Sequence, residues 1–254
     1  MDNTTETLKK PFGWGAKTAI LVTLAIYFLT QFAAVILLSV YSSSQHWSSL
    51  QANQWLNDSV FAQFAFVALV ELGTLGLLYL FLRRYRANFK DLGLVAPKLR
   101  DTGYALAGFG AYLPLYIVGL SLIRAAVPSI NIDQKQQLGF TSASGSILIL
   151  VFISLVILPP LVEEILVRGF LYGSLKKHWP KLHAIVFTSL LFAIAHLQIG
   201  SGAPLLWVAA IDTFILSFVL IYLRDKTGGL AASIMLHMLK NGLAFAALFI
   251  FRLS

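Results

Sequence analysis

The chain has 254 residues, 58% of them hydrophobic and only 12% charged, with a mean hydropathy of +0.79, which excludes a water-soluble domain and makes lipid the expected solvent. Its formal charge of +8 lies in segments between apolar runs, a placement that suits anionic lipid headgroups rather than a nucleic-acid partner. With no cysteine, disulfides, thiolate nucleophiles and cysteine-bound metals are excluded as well.

The apolar runs fall at residues 16–41, 59–82, 101–127, 144–175, 182–199, 204–223 and 230–252. Inside a bilayer every backbone amide must bond within its own segment, and no alternating barrel pattern is present. The predicted fold is therefore all-α, a polytopic membrane bundle of about seven transmembrane helices. Lys9, Lys10 and Lys17 precede a first run too long for a signal-peptide core, so it reads as a retained anchor. Trp47 and Trp55 in the next connection suit a membrane interface. Run four carries Pro159-Pro160, which remove two amide donors and predict a kink, or a split into an eighth span. The chain divides into an N-terminal segment (1–15), a transmembrane scaffold (16–140) and a C-terminal core (141–254).

Basic residues orient the runs. With the N-terminus in the cytoplasm, Lys9, Lys10, Lys17, Arg83, Arg84, Arg86, Lys90, Lys98, Arg100, Lys176, Lys177, Lys181, Arg224 and Lys226 face inward, against Arg124, Lys135 and Arg252 outside. This predicts a multi-pass protein of the cell membrane.

The ionisable residues within runs include Glu71, Glu163, Glu164, Arg168, His196, Asp212, His237 and Lys240. Insertion scales put the cost of such a group at roughly 2.5 to 3.5 kcal/mol for Asp, Lys or Arg at mid-membrane, so each needs a partner or a task. Counting from the inner charges, Glu163, His196, His237 and Asn241 all come out roughly 17 to 23 Å deep, on three different helices. Glu71 and Asp212 fall in the same layer and are expected to neutralise Lys240 rather than to border a site. Adjacent glutamates point about 100° apart on a helix. Glu164 is spaced to pair with Arg168 at i,i+4, leaving Glu163 to face elsewhere. The same spacing puts Phe192 over His196, and His237 beside Asn241.

Amide hydrolysis needs a base to activate water and donors for the developing oxyanion. Glu163 is the candidate base and His196 the residue that holds the same water. His237 and Asn241 suit the oxyanion, and Glu164, Arg168 and Phe192 support the site. A competing reading makes Glu163, His196 and His237 ligands of a divalent metal such as zinc. No H-E-x-x-H helix is present, and Arg168 brings positive charge toward any cation, so no cofactor is the preferred expectation. Ser201 in Gly200-Ser201-Gly202 reads as a turn, and Asp212 has no second aspartate with which to form a catalytic dyad.

Glu163-Glu164-Ile165-Leu166-Val167-Arg168, Phe192 to His196 and His237 to Asn241 match EExxxR, FxxxH and HxxxN in that order. The pattern resembles the CPBP family of intramembrane proteases, which includes type II CAAX prenyl endopeptidases and bacteriocin self-immunity proteins. The resemblance spans about residues 155 to 245. It implies that Glu163 and His196 activate water while His237 and Asn241 hold the oxyanion, in a family also often labelled metallopeptidase. The expected function is intramembrane cleavage of a hydrophobic or lipidated peptide. The alternatives are a non-catalytic peptide-binding or bacteriocin immunity protein using the same polar cavity, and a proton-coupled transporter, for which the two repeated halves are lacking.

Overall fold

A computed structural model describes residues 13–131, 139–140, 143–198 and 204–252. Lys9, Lys10, Lys135 and the turn at residues 200–202 lie outside the described residues. Each apolar run forms a helix: α1 (Ala16–Ser44), α3 (Val60–Arg84), α4 (Leu99–Ala126), α5 (Gly145–Leu175), α6 (Lys181–Ala195), α7 (Trp207–Thr227) and α8 (Ala231–Ile250). A further short helix, α2 (Ser49–Asp58), follows α1. Its start carries a capping box between Ser48 and Gln51, a spacing visible in the sequence, and its Trp55 ring packs against Trp47 at 5.3 Å.

Among the described residues six helices are long and apolar enough to cross a membrane, and the chain is a multi-pass, all-α membrane bundle. Run five differs from the expectation. Pro180 sets the start of α6 and the helix ends at Ala195, so it has 15 residues and rises roughly 22 Å against a hydrocarbon core of about 30 Å. His196 consequently sits at the C-terminal end of α6 rather than inside it.

Helix α5 is the hub, packing against α1, α3, α6, α7 and α8. The proline pair does not split it. Instead the rod widens into π-helical turns at Ile153–Ile157 and Glu164–Leu171, on either side of Leu158–Glu163. Every residue from Glu164 to Leu171 is buried, as expected of a helix surrounded by others. Leu155 explains how the interruption is tolerated. Its carbonyl would accept from residue 159 in an α-turn or residue 160 in a π-turn, and both are proline. Asn241 of α8 supplies the missing donor, its Nδ2 giving a hydrogen bond to Leu155 O at 2.9 Å.

The connection from α3 to α4 is pinned to the end of α7. Arg224 donates from Nη2 to Leu92 O at 2.8 Å, and Leu230 N donates to Gly93 O at 2.9 Å. Gly93 has φ +97°, and a Cβ there would lie 2.5 Å from the Arg224 guanidinium, so only glycine fits. Nearby, Asp225 accepts from Lys176 and Lys181 at 2.9 Å each and from the Tyr172 hydroxyl at 2.8 Å.

Candidate active site

Helices α5 and α8 bring Glu163, Glu164, Arg168 and His237 together, α6 places His196 on the same cavity as Glu163, and Asn241 is held at Leu155 of α5. Arg168 Nη1 donates to Glu164 Oε1 at 2.8 Å with both side chains fully buried, which is the expected i,i+4 pair. Such a pair is tolerated in a low-dielectric interior only with close geometry and further partners. Two are present. The guanidinium carbon lies 4.1 Å over the Phe192 ring, and His237 Nδ1 lies 3.1 Å from the same Glu164 oxygen.

An ionised Glu164 held by Arg168 only accepts, so His237 Nδ1 carries the proton and donates to it. In the neutral imidazole Nε2 is then unprotonated. It faces Glu163 Oε2 across 3.9 Å, too far for a direct hydrogen bond. His196 is fixed in the same sense: its Nδ1 lies 2.8 Å from Phe192 O, which only accepts, so its Nε2 is also left as an acceptor. Phe192 meets both imidazoles edge-on, with ring centroids 4.6 Å from His196 and 6.2 Å from His237. One aromatic side chain thus sets the relative position of two histidines and an arginine.

The adjacent glutamates are divided as helical phase requires. Glu164 has no accessible side-chain area, whereas Glu163 keeps 28%. Glu163 owes that access to a cavity of about 740 Å³ that it lines together with His196 and Phe192. The opposite wall comes from α1 and α3 and includes Tyr27, Gln31 and Glu71. Asn241 is tied to Leu155 O by one amide N–H, and its second remains for another acceptor.

Lys240 pairs with Asp212 at 2.5 Å, as expected, and Asp212 also accepts from the Tyr112 hydroxyl. Glu71 does not join them. It lines the cavity opposite the paired helices, because α3 packs on α1 and α5 while Asp212 faces α4 and α8. Depth alone gave both carboxyls the same role, and only the packing separates them. Among the described residues no three His, Asp or Glu side chains are grouped so that they could hold a metal ion.

Residues 145–243 match the family model described as Type II CAAX prenyl endopeptidase Rce1-like. An uncharacterized 24.3 kDa protein of Escherichia coli is 30% identical over 165 residues, covering 63% of this chain and 69% of that protein. No solved structure matches.

Proposed function

For a chain that belongs to the Type II CAAX prenyl endopeptidase Rce1-like family, we propose an intramembrane endopeptidase that cleaves a hydrophobic or lipidated peptide with water activated at Glu163, without metal. The observation that carries this reading is an accessible carboxyl, Glu163, that shares a cavity with His196 and faces the free nitrogen of the buried His237 at 3.9 Å.

In this reading the water lies at Glu163, with His196 Nε2 accepting one of its hydrogens and so orienting a lone pair toward the peptide carbonyl. Glu163 takes the water's other proton as the new C–O bond forms. The oxyanion accepts from the second N–H of Asn241. His237 joins as a donor only once its Nε2 has taken that proton from Glu163, which requires the two side chains to close the 3.9 Å between them, and the resulting imidazolium is stabilised by Glu164. Collapse of the tetrahedral intermediate breaks the C–N bond. The proton taken from water goes to the leaving amine, and the hydroxyl proton of the new carboxylic acid follows, leaving a carboxylate and an ammonium as products.

The excess of basic residues at one set of loops supports a cytoplasmic N-terminus in the cell membrane. The test uses purified protein in lipid nanodiscs with a labelled library of hydrophobic peptides, analysed by mass spectrometry. Glu163→Gln and His196→Ala are expected to abolish cleavage while the thermal midpoint stays within a few degrees, and turnover in the intact protein is expected to survive a chelator. Unchanged turnover in Glu163→Gln refutes the assignment of the base.

A further inference from the structure

The wall contributed by α1 and α3 lies outside the matched residues 145–243, yet it carries a carboxyl in the membrane-spanning region. Glu71 has no hydrogen bond or ion pair to any other described residue. It lies about 18 Å along α3 from Arg83. A group so placed is costly unless something compensates it.

The surroundings of Glu71 are those of a binding surface. Tyr27, Thr30, Gln31 and Thr74 line the same cavity, so an ammonium or guanidinium held there would meet oxygen acceptors as well as the carboxylate. Thr23, also a lining residue, is only 5% exposed and its buried hydroxyl has no partner. Among the described residues no lysine or arginine lines this cavity. The two cations nearest the site are already committed, Arg168 to Glu164 and Lys240 to Asp212. The cavity therefore presents two carboxyls, Glu71 and Glu163, with no cation among the described residues that line it, and an apolar peptide alone would leave Glu71 without a partner among them.

We infer that Glu71 is the anchor of a cation subsite, which receives a lysine or arginine side chain of a membrane-inserted peptide held within a few residues of Glu163. This deepens the peptidase reading, since it names the class of peptide, but its test does not depend on hydrolysis. Full-length protein in nanodiscs is titrated with labelled hydrophobic peptides in which one lysine is scanned through the central positions, against the same peptides with norleucine. At one position the lysine peptide is expected to bind about tenfold more tightly than its norleucine twin. Glu71→Gln removes that ratio without altering norleucine-peptide binding, and Glu71→Lys favours the glutamate-bearing peptide instead. A ratio near one at every position in the intact protein, a ratio that survives Glu71→Gln, or an equal loss for both peptides in that variant overturns the inference. Cleavage of lysine and norleucine peptides with equal kcat/KM and equal affinity leaves the peptidase and removes the subsite. A preserved affinity ratio with no cleavage of either peptide does the opposite.

Discussion

The bond from Asn241 to Leu155 O predicts an energetic coupling between α8 and the proline pair of α5. Replacing Asn241 by leucine deprives a part-buried carbonyl of its donor, because Pro159 and Pro160 leave neither an α- nor a π-type amide to replace it. Orphaning a buried acceptor costs about 1 to 3 kcal/mol, and measured interhelical hydrogen bonds in membrane proteins fall near the lower end, so Asn241→Leu should destabilise by about 1 to 2 kcal/mol. In the Pro159→Ala/Pro160→Ala background an amide can take over the carbonyl, and the same substitution should then cost less than about 0.5 kcal/mol. The assay is a double-mutant cycle from reversible unfolding of the purified protein in mixed micelles as the denaturing detergent fraction rises. Distant, independent sites add to within about 0.3 to 0.5 kcal/mol, so a coupling below that range refutes the account of how α5 survives its prolines.

Other measurements test the remaining contacts. Arg168→Met should destabilise by about 3 to 5 kcal/mol, because it leaves the buried Glu164 without its cation and with only the His237 N–H as a donor, and adding Glu164→Gln should recover a large part of that loss in the same unfolding assay. Phe192→Leu should lower activity more than stability, since it releases both histidines and the guanidinium from one ring; equal rates in a peptide-cleavage assay would contradict that. Gly93→Ala should lower the thermal midpoint by several degrees through backbone strain and collision with Arg224, whereas Gly103→Ala, where a Cβ meets nothing within 4 Å, should not. Lys240→Met should destabilise by about 1 kcal/mol or more by unpairing Asp212, and Asp212→Asn in the same background should restore part of it.

The helical membrane class and the division of labour between Glu163 and Glu164 follow from residue order alone. Lipid forces each backbone to bond with itself, and the phase of a helix separates neighbouring side chains whatever surrounds them. The Glu164–Arg168 pair and the edge contact of Phe192 with His196 were legible for the same reason, being i,i+4 relations within one helix. Packing decided what no local spacing contains. It ended α6 at Ala195, turned a proline break into two π-helical turns bridged by Asn241, and set the tautomer of His237 through Glu164 on a neighbouring helix. It also sent Asp212 to Lys240 and Glu71 to the cavity wall, although both lie at one depth. Depth is a coordinate along a single helix, whereas a partner depends on which helices are neighbours and how each is rotated, and those are properties of the assembled bundle.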